Sequence, residues 1–195
     1  MKSRPFPQFV LRAFVSSWPI FLLAGCTSAV QSGHNTALDA TDLVAMTDDM
    51  AQKILASPEV QQEFAQHGPL RVVVEPVENR MTAEVLPRGP AEAFTARLRN
   101  LLSHHAPDRF VWIMNRDAYY RLRSQELGVP LGPSPDAMNP NFALTAIFSS
   151  LSQEDKKHRS DYYLCTFELT DLNRRHTLWT DKYEVTKVAV KGFLD

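Results

Sequence analysis

Asp161-Tyr162-Tyr163-Leu164-Cys165-Thr166-Phe167-Glu168-Leu169-Thr170-Asp171-Leu172 decides the fold of this chain. Tyr163, Cys165, Phe167 and Leu169 alternate with Tyr162, Leu164, Thr166, Glu168 and Thr170. A period of two places the two sets on opposite faces of a strand, so one face is buried and the other meets water or a partner. The next segment repeats the pattern. Across Thr177 to Lys187, Trp179, Tyr183 and Val185 alternate with Thr180, Lys182 and Glu184. Phe142 to Leu151 is a third strand-length run, and the polar stretches Gln153 to Arg159 and Asn173 to His176 read as the turns between the three. The last third of the chain is therefore expected to form a three-stranded antiparallel meander.

Working towards the N-terminus, Val129 to Asn141 carries Pro130, Pro133, Pro135 and Pro140, which fits a structured loop and excludes a helix. Before it, a helix is expected from Asn115 or Asp117 to Leu127, with Tyr120 and Leu122 inward and Gly128 as its stop. Phe110 to Met114 reads as a short strand. Ala91 to His105 reads as a helix opened by Pro90, with a stripe of Phe94, Leu98, Leu101 and Leu102. Leu70 to Val77, with Val72, Val73 and Val74, suits a buried central strand. Val73 is expected on the helix-packed face together with Phe167 and Trp179. Leu43, Met46, Met50, Ile54 and Leu55 mark one face of a first helix, capped by Thr41 or Asp42, and Pro58 stops it or starts a further turn through Gln62. The order helix, strand, helix, strand, helix, meander predicts an α+β domain with helices packed on one face of a mixed sheet.

The first 37 residues have a different texture. Lys2, Arg4 and Arg12 precede an apolar run with Phe14, Val15, Trp18, Ile20, Phe21, Leu22 and Leu23, which ends in Leu23-Ala24-Gly25-Cys26. Positive charge, a short apolar core and small residues before a cleavage point make a secretory signal, and the run is too short for a spanning helix of roughly 20 apolar residues. Leu-Ala-Gly-Cys resembles the lipobox of bacterial lipoproteins. That resemblance implies a signal peptide over residues 1–25 and a lipid-carrying Cys26 at the mature N-terminus. In such lipoproteins an Asp after the cysteine often marks inner-membrane retention; Thr27 stands here, which points to the outer membrane. Residues 26–37 read as a short lipidated tether, reaching under about 40 Å when extended. Residues 38–195 read as a periplasmic α+β binding domain, long enough for one core.

Charge and cysteine usage exclude several function classes. Residues 1–25 carry three basic groups and no acidic one, so their loss takes the formal net charge from −1 to −4. A mildly acidic chain without a basic cluster does not suit nucleic acid, whose phosphates must be neutralised by Lys and Arg. Cys26 and Cys165 are the two cysteines, so lipidation of Cys26 leaves no disulfide within the chain. Cys165 falls on the apolar face of its strand and reads as a buried thiol, not a nucleophile. His104 and His105, with Asp108, lack the spacing of a metal site: neighbours on a helix point about 100° apart, and both cannot easily reach one ion. No nucleophile-elbow, zinc-protease or phosphate-loop motif occurs. No cofactor, metal or catalytic residue is expected.

Three blocks carry a family resemblance. Val72-Val73-Val74-Glu75-Pro76-Val77-Glu78-Asn79-Arg80, the Ala91 to His105 helix leading into Phe110-Val111, and Ala143-Leu144-Thr145 running through Tyr162-Tyr163-Leu164 and Leu169-Thr170-Asp171-Leu172 to Leu178-Trp179 follow one order. Together they are similar to the penicillin-binding-protein-activator lipoproteins of the LpoB type, over roughly Asp42 to Lys187. The resemblance implies a fold like the N-terminal domain of the TolB translocation protein. It implies an outer-membrane lipoprotein that faces the periplasm and, with no catalysis of its own, activates a bifunctional peptidoglycan synthase and so regulates cell-wall synthesis. The chain departs from the pattern twice: the Asn173-Arg174-Arg175-His176 turn lacks the glycine common there, and the tether is short. An accessory subunit of an outer-membrane secretion or assembly complex is the alternative, and a cell-wall hydrolase of unfamiliar type a weaker third. For either binding role the solvated face of the meander is the expected docking surface, with Thr166, Glu168, Lys182 and Glu184 at its centre and Tyr162 as an aromatic anchor.

Overall fold

The computed structural model describes residues 30–31, 36–81, 88–134 and 136–190. The signal segment and Cys26 lie outside the described residues. Eleven elements follow one another: β1 (Val30–Gln31), α1 (Ala40–Ala56), α2 (Pro58–His67), β2 (Leu70–Val74), β3 (Glu78–Asn79), α3 (Arg88–His105), β4 (Phe110–Ile113), α4 (Arg116–Leu127), β5 (Phe142–Glu154), β6 (His158–Asp171) and β7 (His176–Val190). Among the described residues the strands form one mixed sheet in the order β1-β7-β6-β5-β2-β4, and β3 extends the pairing along β5. The three long strands form the antiparallel meander read from the alternation, with Phe167 opposite Ala146 on one side and opposite Asp181 on the other. β2 is parallel to both β4 and β5.

Local sequence sets the helix ends. Asp39 caps α1 by accepting from the N–H groups of Thr41 and Asp42, while the Asp42 carboxylate accepts from the Asp39 N–H at 2.8 Å. This reciprocal pairing satisfies donors that a helix start leaves open, and it moves the start one turn before Asp42. Ser57 caps α2, whose Pro58 occupies the first helical position and lacks the N–H that would otherwise be orphaned. The second helix runs on to His67, further than the turn through Gln62 expected from sequence. Asn115 caps α4, and Gly128 closes it with φ of 63°, a left-handed conformation that favours glycine.

The core lies between α1–α3 and one face of the sheet. Met46, Met50 and Ile54 of α1 and Phe94, Leu98 and Leu102 of α3 meet Val72, Phe142, Leu144, Phe148, Cys165, Phe167, Leu169 and Trp179. Phe94 is the pivot: its ring stands 5.5 Å from Phe148, edge to face, and 5.3 Å from Phe167. Full burial of such aromatic side chains contributes on the order of 2–3 kcal/mol each.

Two sequence expectations need correction. Val73 is buried but does not face α1–α3; Leu70, Val72 and Val74 do, and Val73 turns to the other side of the sheet beside α4. Strict alternation applies to the run of three valines as to any strand, and both of its faces are covered here. On α4 no residue is buried and Leu122 is 45% exposed, so the helix does not contribute to the core. The turn that lacks glycine is closed by other means. The Asp171 carboxylate accepts from the N–H groups of Asn173 and Arg174, both at 2.8 Å, and Arg175 adopts φ of 58°.

Candidate docking face and the cavity beside α4

The face of β5–β6–β7 opposite α1–α3 carries the residues expected to dock a partner. Tyr162 Oη donates to Glu184 Oε1 at 2.8 Å, and Lys182 Nζ donates to the same oxygen. Cross-strand register explains the grouping: Leu164 stands opposite Glu184 and Thr166 opposite Lys182 on antiparallel neighbours. Glu168 lies further along β6, opposite Thr180. The structure therefore brings Tyr162, Lys182 and Glu184 into direct contact, sets Thr166 beside them, and leaves Glu168 at the margin, where its charge reaches Arg80. These side chains are half-buried or exposed, unlike their neighbours Tyr163, Cys165 and Phe167. The Lys182 hydrogen bond, then that from Tyr162, holds the Glu184 carboxyl below the usual range. Partial burial and the bond to Glu184 push the Tyr162 phenol up. At neutral pH the patch is a carboxylate clamped by a cation and a phenol, with polar and aromatic surface around it.

Cys165 is buried within the core, and burial pushes its thiol far up, so the thiolate that a nucleophile requires does not form near neutral pH. His104 and His105 are exposed in the last turn of α3, their rings 6.0 Å apart.

Two constellations escaped the sequence reading. The first is a buried polar clasp beside that patch, on the opposite, helix-packed face of β6 and β7. Lys187, 1% exposed, donates to the Ala37 carbonyl at 2.8 Å, to Asp39 at 3.1 Å and to Asp42. Across the strand pair from it, Asp161 accepts from Thr36 Oγ1 and from Arg159 Nε. Residues Thr36 to Asp42 are thus tied to β6 and β7, beside which Val30 and Gln31 pair in parallel with Lys187 and Val188. The signal was present: Asp161 and Lys187 both fall on the buried parity of their strands. The second is a cavity of about 570 Å³ at the C-terminal ends of β2 and β4, walled by Val73, Trp112, Ile113, Tyr120, Met138 and Leu172 among others.

Comparison with known proteins shows the family of the chain. A family model described as peptidoglycan-synthase activator LpoB matches residues 42–185. No curated protein matches the sequence. Among solved structures, the chain is similar to the C-terminal domain of LpoB from Escherichia coli at 16% identity, covering 74% of this chain and 98% of that one with a TM-score of 0.46. It is similar to the NMR structure of LpoB from the same organism at 14% identity, covering 98% and 88%, with a TM-score of 0.41. Lipoprotein GNA1162 from Neisseria meningitidis matches at 14% identity over 65% of this chain and 86% of that one, with a TM-score of 0.38.

Proposed function

The chain belongs to the peptidoglycan-synthase activator LpoB family, and from that premise we propose that it binds the periplasmic part of a bifunctional peptidoglycan synthase and raises its polymerising activity. Docking uses the uncovered face of the meander around Tyr162, Thr166, Glu168, Lys182 and Glu184. The observation that carries this reading is the asymmetry of the sheet. Among the described residues, α1–α3 cover one face of β5–β7, while the other presents an aromatic ring and clamped charges with no described helix over them. Interfaces concentrate binding energy on a few such groups, with Tyr and charged residues prominent. The chain itself performs no catalysis; it acts on the synthase by binding.

The lipobox supports a lipid anchor at Cys26 in the outer membrane, with the domain facing the periplasm. No helix among the described residues is long and apolar enough to cross a membrane. Stable anchoring takes more than one acyl chain, which the lipoprotein modification supplies. Between Cys26 and β1 lie only residues 27–29, a reach of about 14 Å at full extension. The domain would then sit close to the membrane, and the synthase must extend towards it. Purified mature chain mixed with a synthase from its own cell tests the reading: saturable binding and a higher glycan-polymerisation rate are expected. Absence of both removes the activator role, and an N-terminal peptide without a lipid mass on Cys26 removes the anchor.

A further inference from the structure

We propose that the mature N-terminus, Cys26 to Ala29, continues β1 along the open edge of β7 and so seats the lipid anchor beside the docking patch. Side chains close that edge at one end. The Lys182 N–H donates to Asp181 Oδ1 at 2.7 Å, and the Lys182 carbonyl accepts from Lys53 Nζ at 2.8 Å. Lys53 is itself held by Asp49 and Asp181. A strand residue directs its N–H and C=O to the same side, so both backbone groups of Lys182 point away from β6. At the other end the edge is occupied, since Val30 and Gln31 pair in parallel with Lys187 and Val188. Between these two points no strand among the described residues pairs with β7 on this side.

Backbone alternation fixes what is left open. The pairing of β7 with β6 runs unbroken from Lys182 to Val190, so Glu184, Thr186 and Val188 direct their N–H and C=O groups to the same edge as Lys182. The parallel pairing of Val30 with Lys187 takes the Thr186 carbonyl and the Val188 N–H. It leaves the Thr186 N–H and both groups of Glu184 as open ladder positions, the kind of edge that accepts a further strand. The occupant follows from counting back along the register. Val30 opposite Lys187 sets Ser28 opposite Val185 and Cys26 opposite Tyr183. Ser28 then donates its N–H to the Glu184 carbonyl and accepts from the Thr186 N–H, while the Cys26 carbonyl accepts from the Glu184 N–H. The next acceptor, the Lys182 carbonyl, is already taken by Lys53. The open edge therefore ends at the residue where the lipobox starts the mature chain. A strand from another protein would find β1 already in place, whereas residues 26–29 are joined to β1 and arrive at high effective concentration.

Tyr183 adjoins Lys182 and Glu184, and neighbouring strands lie about 4.8 Å apart, so the acylated Cys26 emerges next to the docking patch. The consequence for function rests on the activator reading: a synthase that grips Tyr162, Lys182 and Glu184 does so at the membrane surface. The strand itself is tested without a synthase. Amide hydrogen exchange of Glu184 and Thr186 is followed by NMR in the lipid-carrying mature chain, held in detergent micelles. Ser28→Pro removes an N–H that faces β7 and should speed exchange at both amides about tenfold or more. Ala29→Pro removes one that faces away from the sheet, where an edge strand tolerates proline, and should leave both within about twofold. Mass spectrometry of each sample verifies the acyl groups on Cys26, which keeps a missing anchor distinct from an unpaired strand. Exchange that Ser28→Pro leaves unchanged overturns the proposal, and so does equal acceleration by the two prolines.

Discussion

Lys187 of the last strand and Asp42 of the first helical turn meet inside the protein, the lysine ammonium donating to the carboxylate with both side chains almost wholly out of water. They are far apart in sequence, and their contact fastens the start of α1 to β7. Asp39 and the Ala37 carbonyl complete the ammonium's set of three acceptors, which matches its three donors. Removing one partner of a buried pair strands the other, and typically costs about 3–5 kcal/mol. Lys187→Met keeps the length of the side chain and deletes the charge, so that loss is expected in urea melts. Lys187→Met with Asp42→Asn should recover part of it, because no uncompensated carboxylate remains at that position. A single variant as stable as the parent would show that the clasp contributes nothing.

The same clasp sets a response to acid. The Asp42 backbone N–H, and then Lys187, hold the Asp39 carboxyl below its ordinary value. Burial acts to raise Asp161, but hydrogen bonds from Ser152, Thr36 and Arg159 outweigh it and hold that carboxyl low as well. A group with a depressed pKa in the folded protein contributes stability that is complete above its unfolded value, near 3.9, and is lost as pH falls through the folded one. For Lys187 burial acts downward, and the bonds to Asp42 and Asp39 outweigh it, so its pKa is raised. Its contribution is complete below about 10.4 and is lost as pH rises through the higher folded value. Urea midpoints should therefore be flat across the neutral range and fall below about pH 4, with Asp39→Asn flattening the acid limb. A midpoint unchanged down to pH 2 would count against these carboxylates.

Phe167 and Glu168 are neighbours with opposite fates. Phe167 is completely buried against Phe94, whereas Glu168 sits half-exposed on the other face. Phe167→Ala should cost about 3–5 kcal/mol, a large share of a domain's stability. Glu168→Ala should change stability by less than about 0.5 kcal/mol. Chemical denaturation of both variants checks the difference, and similar losses would reverse the assignment of faces.

That parity was legible because β6 and β7 have one dry and one wet face, and alternation records nothing else. Val73 was not legible for the converse reason. A strand covered on both faces is apolar throughout, and Val72, Val73 and Val74 offer no contrast from which to tell the sides apart. Asp161 and Lys187 occupy buried positions in a readable pattern, yet their charge suggests surface until a partner is known. The partner of Lys187, Asp42, is supplied by a helix at the other end of the chain. The cavity beside α4 draws its walls from four separated stretches, 73–75, 112–120, 136–140 and Leu172, and no local pattern marks a space of that kind. Leu122 was misplaced because α4 is short and mostly polar, so one leucine does not define a stripe.

Arg175 takes a left-handed backbone conformation at the β6–β7 turn, where L-residues other than glycine meet a penalty of roughly 1–2 kcal/mol. Glycine removes that penalty and adds about 0.5–1 kcal/mol of backbone entropy cost. Arg175→Gly should therefore stabilise the protein slightly, by about 0.5–1 kcal/mol. The expected sign is a higher urea midpoint at unchanged slope; a lower midpoint would mean that the turn is relaxed with arginine in place.

Tyr162 is the group on the meander face whose loss should affect binding most. Its ring lies on the open side of β6, and its hydroxyl is held by Glu184, which Lys182 also grips. The three form a preorganised patch, and little side-chain freedom remains to be lost when a partner covers it. Tyr162→Ala should weaken synthase binding about tenfold or more, or about 1.4 kcal/mol, with circular dichroism and melting midpoint nearly unchanged. Tyr162→Phe should fall between, since it keeps the ring and frees Glu184 from one of its two donors. Lys182→Met separates charge from shape: if the synthase meets this face through a cationic surface, loss of the lysine leaves Glu184 more available, and binding at low salt should tighten. Calorimetric titration of the three variants at two salt concentrations reads these effects. If Tyr162→Ala binds and stimulates the synthase as the parent does, docking occurs elsewhere on the molecule.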